Sequence, residues 1–175
     1  MNETINTLVE RRSCKKYLPQ QVEEAALEEI LKAGTYAANG RARQAGKIIV
    51  LQNKEDIAQL ERMNAAILGA PEAHPFYGAP TVCVVLADAD VHTAVEDGAL
   101  VMGNLMNAAW ALGVDSCWIH RAREEFDSEE GKALLKAWGI EGNYIGVGHC
   151  ILGYRDGELK AAAPRKADFV VRINK

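Results

Sequence analysis

The order of predicted helices and strands favours an α+β sandwich over a doubly wound sheet. β-branched runs typical of strands are mixed with segments of helical periodicity, without regular alternation along the chain. No GxGxxG motif follows a predicted strand, so the main signature of a Rossmann fold is missing. The chain has 175 residues, 49% of them hydrophobic, which is enough to fill one sizeable core. We therefore expect a single domain over residues 1–175.

Two amphipathic helices are predicted near the N-terminus. In residues 2–10, apolar side chains share one helical face behind a polar cap at Asn2 or Thr4. From 22 to 32, apolar residues recur at intervals of three and four with glutamates between them, and Gly34 is the expected stop. A basic segment connects the two helices.

Two core strands are predicted in the middle of the chain. They are the short β-branched runs 47–53 and 81–87. Between them, residues 54–68 have a helical pattern, and the Pro- and Gly-containing stretch 70–80 predicts a mobile loop.

The segment 91–112 predicts a long helix with apolar or small residues on almost every side. Such a helix must be buried nearly all round. A domain of this size offers little to cover it, so we expect part of the helix to pack on a second copy of the chain. The sequence therefore predicts a homodimer. The remaining elements are a strand at 115–119, a helix at 128–138, a strand at 147–154 and an extended tail at 168–173.

The composition argues against several classes of partner. A formal net charge of −4 and a pI near 5.6 provide no basic field for nucleic acid or anionic lipid. The N-terminus has no apolar run behind a positive cluster, and no stretch approaches the roughly 20 apolar residues of a membrane span. We therefore expect a cytoplasmic protein with no nucleic-acid or membrane partner.

Neither a metal site nor a nucleophile is visible in the sequence. The four cysteines are widely spaced without a CxxC pair, and the four histidines show no metal spacing. Cys117 lies at a predicted strand end with no indication of a catalytic base, and no GxSxG motif occurs. We assign no catalytic residue. Anion-binding clusters without a nucleophile are typical of proteins whose chemistry belongs to a bound cofactor.

The densest basic cluster lies between residues 11 and 16. Arg11, Arg12, Lys15 and Lys16 surround the Ser13 hydroxyl, and such a set can bind a phosphate dianion. A solvated patch at the end of a short helix, favourable with the helix dipole, is the alternative.

Two further polar segments are candidates for ligand contact. Arg165 and Lys166 follow Pro164 where the chain could return to the first cluster, although an exposed tail charge is the simpler interpretation of this pair alone. The stretch 39–44 offers amides and a flexible glycine for the edge of a planar heterocycle, and could equally be a surface loop.

Five motifs, in order, resemble one protein family. They are RRSCKKY at 11–17, AGTYAANGRARQ at 33–44, GAP at 78–80, ALGVDSCWI at 111–119 and APRK at 163–166. Each is short, but together they are similar to the FMN-dependent nitroreductase family, particularly its short bacterial members. The resemblance covers essentially the whole chain.

The resemblance implies a nitroreductase-like α/β/α sandwich with a central, mostly antiparallel sheet. Members of this family are intertwined homodimers with two FMN sites at the subunit interface, in agreement with the dimer inferred separately from segment 91–112. The family's C-terminal tail often reaches over the partner subunit, a role that residues 168–173 could fill.

The resemblance also implies cofactor-binding residues at both ends of the chain. The family's RxSxR/K motif and its C-terminal basic site would grip one phosphate between them. The matching positions are Arg11, Arg12, Ser13 and Lys15 at one end, and Arg165 and Lys166 at the other.

The flavin-contact segment departs from the family pattern. The family's Asn-x-Gln element falls on Ala42, Arg43 and Gln44, so the asparagine is missing. Gly46 stands where the family often has a bulky Trp. Because these changes reshape the pocket, substrate preference cannot be carried over from the family.

The implied activity is transfer of reducing equivalents from NAD(P)H through FMN to a nitroaromatic, a quinone or a flavin. The hypothesis is a ping-pong cycle in which Lys15 or a backbone N–H stabilises the reduced ring. Phe76 and Tyr77 could stack on the substrate, or pack in the core or dimer. Two alternatives stay open: a flavin-binding carrier or sensor, and a binder of another phosphate ligand without redox turnover.

Overall fold

A four-stranded antiparallel sheet forms the centre of the molecule. The computed structural model describes residues 2–173. The strands are β1 (Gly46–Leu51), β2 (Thr81–Asp88), β3 (Asp115–Ile119) and β4 (Tyr144–Gly153). Their order across the sheet is β1-β2-β4-β3, with all three neighbouring pairs antiparallel, so β1 and β3 are its two edges.

Helices cover both faces of this sheet. They are α1 (Glu3–Glu10), α2 (Glu24–Thr35), α3 (Lys54–Leu68), α4 (Ala94–Ala111), α5 (Ala122–Asp127) and α6 (Glu129–Ala137), with one 3₁₀ turn at Gly40–Ala42. Side chains of β2 alternate between two hydrophobic clusters, Val82 and Val84 facing one and Cys83 and Val85 the other. The first cluster includes residues of α3, α5 and α6, and the second includes residues of α2 and α4. The predicted α/β/α sandwich is therefore confirmed.

Helix α4 is buried on one side only. Met102, Leu105 and Ala109 are fully covered, whereas Val95 and Leu100 are 46% and 49% exposed. The expectation of burial nearly all round is thus not met within one chain, and an apolar face of α4 is left uncovered.

Gly34 does not stop helix α2, as the sequence analysis expected. The helix runs to Thr35, and Gly34 is buried inside it. A Cβ atom there would lie 2.8 Å from Leu105 Cδ2 and 2.9 Å from Ile48 Cδ1. The glycine therefore permits close packing of α2 on α4 and the sheet.

The other boundaries agree with the sequence more closely. Asn2 caps α1 by accepting a hydrogen bond from the Ile5 N–H at 2.9 Å.

Two features at the C-terminal half of the chain differ from the sequence analysis. Helix α5 was not predicted. The tail expected to be extended at 168–173 is instead bent over 167–170, where the Phe169 N–H donates to the Lys166 carbonyl at 3.2 Å. No helix within residues 2–173 is long and apolar enough to cross a membrane.

Candidate functional site

The basic segment at 11–16 lies against the β3 edge of the sheet. Ser13 forms a parallel bridge with Ser116 of β3, and the Cys14 N–H donates to the Ser116 carbonyl at 3.0 Å. Further along, the Leu18 N–H donates to the carbonyl of Tyr154, just after β4, at 2.8 Å. These backbone bonds fix the segment in position, so its side chains project from a rigid base.

The C-terminal segment returns to face this basic segment across a cleft of about 950 Å³. Five of the six predicted phosphate-binding residues line the cleft: Arg11, Arg12, Ser13, Lys15 and Arg165. Lys166 does not line it and is exposed. The structure thus brings the two ends of the chain together, as the sequence analysis expected.

Arg11 lines the cleft and has one unsatisfied donor atom. Its Nη1 atom is buried and has no hydrogen-bond partner among residues 2–173. A buried donor without a partner is costly, and for a guanidinium the natural partner is an anion. An anion bound in the cleft can satisfy this donor once the Arg11 side chain turns towards it.

Arg11, Ser13 and Lys15 converge close to the thiol of Cys117. Burial raises the pKa of this thiol, while the nearby Ser13 side chain and the charges of Lys15 and Arg11 act in the opposite direction. Because the net effect is a raised pKa, Cys117 stays a neutral thiol, which agrees with the absence of a predicted cysteine nucleophile. The three residues therefore supply two cations and one hydroxyl to a single region.

Three other cations of the cleft, Arg12, Lys16 and Arg165, already have partners. Arg12 Nη1 donates to the carbonyls of Val9 and Arg11 at 2.7 and 2.8 Å, which is the helix-end role considered from the sequence. Lys16 forms an ion pair with Asp156 at 2.7 Å, and Arg165 Nη2 donates to the Ala163 carbonyl at 2.6 Å. Arg11 and Lys15 are therefore the better candidates for contact with an anion.

The loop at 70–80 approaches the cleft through Tyr77. The Lys15 ammonium lies 5.7 Å from the centroid of the Tyr77 ring, within the range of a cation–π contact. Phe76, in contrast, is only 1% exposed and packs against the His149 ring with centroids 5.3 Å apart. Of the two aromatic candidates, Phe76 is a core residue and Tyr77 alone is positioned near the cleft.

The predicted flavin-contact segment lies at the opposite edge of the sheet. Gln44 lines a second cavity of about 320 Å³, which also borders strand β1. Ala42 is exposed on the same loop and lines neither cavity. Since three strand spacings of about 4.8 Å separate β1 from β3, roughly 14 Å of sheet lies between the two regions. The structure does not bring Gln44 to Arg11 within one chain.

A buried polar network was missed by the sequence analysis. Glu125 and His149 pair side chain to side chain, and both are fully buried. Asn64 Nδ2 donates to Glu125 Oε1 at 2.5 Å and to the His120 carbonyl at 2.8 Å, and Arg121 Nε donates to Asn64 Oδ1 at 3.0 Å. The network ties α3, α5 and β4 together behind the loop that carries Tyr77. Its members are far apart in sequence, so no local spacing signals it.

Comparison with known proteins agrees with this geometry. A model of the nitroreductase family matches residues 8–154, most of the chain. The chain belongs to the nitroreductase family. It is therefore a member of a family of oxidoreductases, and the resemblance stated from the five motifs is confirmed.

Two solved nitroreductase structures are similar over nearly their whole length. A nitroreductase with bound FMN from Bacteroides fragilis is 28% identical, with a TM-score of 0.90, covering 99% of this chain and 100% of that one. A nitroreductase with bound FMN from Desulfitobacterium hafniense is 26% identical, with a TM-score of 0.88 and the same coverage. A relative from Archaeoglobus fulgidus carries the provisional name NADH dehydrogenase/NAD(P)H nitroreductase. It is 28% identical over 156 residues, which cover 88% of this chain and 86% of the relative.

Proposed function

We propose that this nitroreductase binds FMN and transfers reducing equivalents from NAD(P)H to a small oxidised organic acceptor. The observation that carries the proposal is the convergence of Arg11, Ser13 and Lys15 on one cleft, with a buried Arg11 Nη1 atom that has no partner among residues 2–173. The FMN bound in the two similar structures and the name of the archaeal relative support the choice of cofactor and of reductant.

The residues of the cleft fit a phosphate monoester. Arg11 supplies positive charge and the Ser13 hydroxyl supplies a neutral hydrogen bond, which leaves the Lys15 ammonium for the ring of the same cofactor. Arg165 approaches from the other end of the chain. To turn towards an anion, its guanidinium has to leave only the Ala163 carbonyl. A dianion would satisfy the Arg11 donor and neutralise the facing cations.

Bound FMN supplies a ring that accepts a hydride and passes two electrons on to the acceptor. The chain's own contribution is to hold the phosphate and to place Lys15 beside the ring. The Lys15 ammonium, held over Tyr77, is the charge available to stabilise a reduced, anionic ring. Tyr77 is exposed and supplies an aromatic face at the mouth of the site.

The active form is proposed to be a homodimer with cofactor sites shared between two copies. Four apolar side chains of the tail, Phe169, Val170, Val171 and Ile173, are more than 70% exposed. The uncovered face of α4 is a second apolar surface, and contiguous surfaces of this kind are usually covered. Arg11 and Gln44 lie at opposite sheet edges, which favours a flavin held between Arg11 of one copy and Gln44 of the other. The cytoplasmic location and the single domain stay predictions.

The catalytic cycle is proposed to be ping-pong, with the nicotinamide leaving before a nitroaromatic, a quinone or a flavin enters. One face of one ring then serves both substrates in turn. Parallel lines in double-reciprocal plots of initial rate, at several acceptor concentrations, are the expected result. Intersecting lines would indicate that both substrates are bound together and would exclude this order.

Titration of the flavin-free protein with FMN tests the proposed site. Loss of a charge-assisted hydrogen bond costs about 1.5 to 3 kcal/mol of binding free energy, so Arg11→Met should weaken FMN binding about 10- to 100-fold. Arg62→Met is the matched control, because Arg62 is exposed on α3, on a face remote from the cleft. Equal affinities in the two variants would contradict the assignment of the cleft.

A further inference from the structure

The loop at 70–80 is anchored at Phe76, the residue before Tyr77. The Phe76 ring is 1% exposed and packs against the His149 ring with centroids 5.3 Å apart. The Phe76 N–H donates to Glu61 Oε1 of α3 at 2.8 Å, and the Glu61 side chain is 19% exposed. A hydrogen bond to a partly buried carboxylate is stronger than one between two neutral groups. Phe76 is therefore fixed through both its side chain and its backbone.

Tyr77 adopts a conformation that needs such an anchor. Its φ of 53° lies in the left-handed region, which is unfavourable for a residue other than glycine. Two turns enclose it, since the Tyr77 N–H donates to the His74 carbonyl and the Ala79 N–H donates to the Phe76 carbonyl, both at 3.0 Å. Strain of this kind persists only where surrounding contacts impose it, and it is most frequent at functional sites. Here it accompanies the placement of the Tyr77 ring beside Lys15.

The ion pair between Glu61 and His74 contributes little to this arrangement. His74 Nδ1 lies 3.4 Å from Glu61 Oε2, but the His74 side chain is 82% exposed. Ion pairs in contact with water add little stability. The other oxygen of the same carboxylate receives the Phe76 N–H. The main contact between Glu61 and the loop is therefore the bond to Phe76.

Two residues of α3, Glu61 and Asn64, support Phe76 from one side of the helix. Residues three positions apart share a helical face. Asn64 donates to Glu125, which pairs with the His149 ring behind Phe76, whereas Glu61 accepts the Phe76 N–H. The buried polar network thus supports the ring of Phe76, and Glu61 supports its backbone.

We propose that Glu61 is a positioning residue, which holds Tyr77 at the mouth of the cleft through the Phe76 N–H. Only its role in turnover rests on the proposed function, in which a planar acceptor packs against the Tyr77 ring. Such packing stabilises the bound acceptor and the transition state equally, so its loss raises KM and leaves kcat nearly unchanged. The anchoring of the loop itself requires neither FMN nor NAD(P)H.

Hydrogen exchange at the Phe76 N–H, followed by NMR in the flavin-free full chain, tests the anchoring. Glu61→Ala should speed this exchange about tenfold or more, because a charge-assisted hydrogen bond is lost. Glu61→Gln keeps an oxygen acceptor and should speed it less than about threefold, and His74→Ala should leave it unchanged. The matched control is Glu55→Ala, an exposed exchange in the first turn of α3. Unchanged exchange in Glu61→Ala, or equal acceleration in Glu55→Ala, would overturn the proposal.

The Val84 N–H distinguishes loss of the anchor from general loss of stability. Val84 is fully buried in β2, which pairs with a strand on each side. Local opening of the loop exposes the Phe76 amide and leaves the sheet protected, so exchange at Val84 should stay the same in Glu61→Ala. Equal acceleration at Val84 and Phe76 would show that Glu61 only stabilises the fold, and would overturn its positioning role.

Steady-state kinetics with 1,4-benzoquinone test the consequence for turnover. Glu61→Ala should raise the KM for the quinone about 2- to 10-fold, the effect of one ring contact, and change kcat less than about twofold. Glu61→Gln should return KM towards that of the unmodified chain. Unchanged KM in Glu61→Ala, with faster exchange at Phe76, would overturn the role in acceptor binding. An unmodified chain that does not reduce the quinone would contradict the proposed function, whereas the exchange result depends on the anchor alone.

Discussion

The backbone N–H of Cys14 donates to the carbonyl of Ser116 at 3.0 Å, and this bond attaches the basic segment to the sheet. Because Ser13 is bridged to the same residue, the hydroxyl of Ser13 and the flanking Arg11 and Lys15 are held on a rigid edge strand. A site built on regular structure is held more precisely than one on a free loop. Phosphate recognition at the proposed site would therefore depend on pairing beside β3 as well as on charge.

Lys15 and Lys16 should differ in their contribution to FMN affinity. Lys15 lies over Tyr77 with no carboxylate partner among residues 2–173, whereas Lys16 is already paired with Asp156. Lys15→Met should weaken FMN binding about tenfold, and Lys16→Met less than about threefold. Fluorescence titration of the two flavin-free variants with FMN measures both dissociation constants. A larger effect for Lys16→Met would show that Lys16, and not Lys15, contacts the cofactor.

Gly34→Ala should destabilise the fold. The new methyl group would lie 2.8 Å from Leu105 Cδ2 and 2.9 Å from Ile48 Cδ1, so both side-chain ends must shift. Overpacking costs about 1 to 3 kcal/mol and the higher helix propensity of alanine recovers about 1 kcal/mol, so we expect a net loss of up to about 2 kcal/mol. Thr35→Ala places the same side chain at the exposed neighbouring position and should change stability by less than about 0.5 kcal/mol. Urea denaturation of both variants gives the comparison, and equal midpoints would show that α2 does not pack as closely as described.

Asn64→Ala should destabilise the fold through the buried polar network. It removes two hydrogen bonds that the Asn64 amide donates and leaves the fully buried Glu125 with one partner fewer. We expect a loss of about 2 to 4 kcal/mol in the free energy of unfolding. Arg62→Ala, on the exposed side of the same helix, is the control for the loss of a polar side chain from α3.

Stability should fall above about pH 9 because of a buried thiol. Burial raises the pKa of Cys83 from 9.0 to about 12. Between these values the unfolded chain loses the thiol proton while the folded chain keeps it, so rising pH favours unfolding. Chemical denaturation from pH 8 to 11 under reducing conditions should show a falling free energy of unfolding. In Cys83→Ala this free energy should fall less steeply with pH. An identical slope in the variant would mean that other groups cause the loss.

Leu100→Glu should convert the proposed dimer to monomers. Leu100 lies on the uncovered face of α4, and a charge buried at a subunit interface without a partner is strongly unfavourable. Sedimentation velocity should give a dimer for the unmodified chain and for Ile67→Glu, an apolar-to-acidic exchange on the exposed side of α3. A monomer before any substitution would exclude the shared site.

The sequence predicts those features that depend on local chemistry. The Asn2 cap follows from a residue type at a helix start, and the grouping of Arg11, Ser13 and Lys15 follows from their spacing. The role of Gly34 could not be predicted, because its cause is contact with Leu105 on another helix. Helix α5 was missed because six residues, four of them charged, give too short an apolar pattern.

The separation of Gln44 from Arg11 could not be predicted either. It depends on the strand order β1-β2-β4-β3, which places two segments near the N-terminus at opposite sheet edges. The buried pair of Glu125 and His149 likewise joins elements that only the folded chain brings together. In both cases, contacts between residues far apart in the sequence determine which side chains lie together.

The visible absorption spectrum of the purified protein, recorded before and after anaerobic addition of NADH or NADPH, tests FMN-dependent reduction most directly. The proposed function predicts flavin bands that bleach on addition of one or both nucleotides and return when an acceptor is supplied. Flavin bands that do not bleach would favour a carrier or sensor. A protein that shows no flavin bands, even after incubation with FMN, would contradict the proposed function.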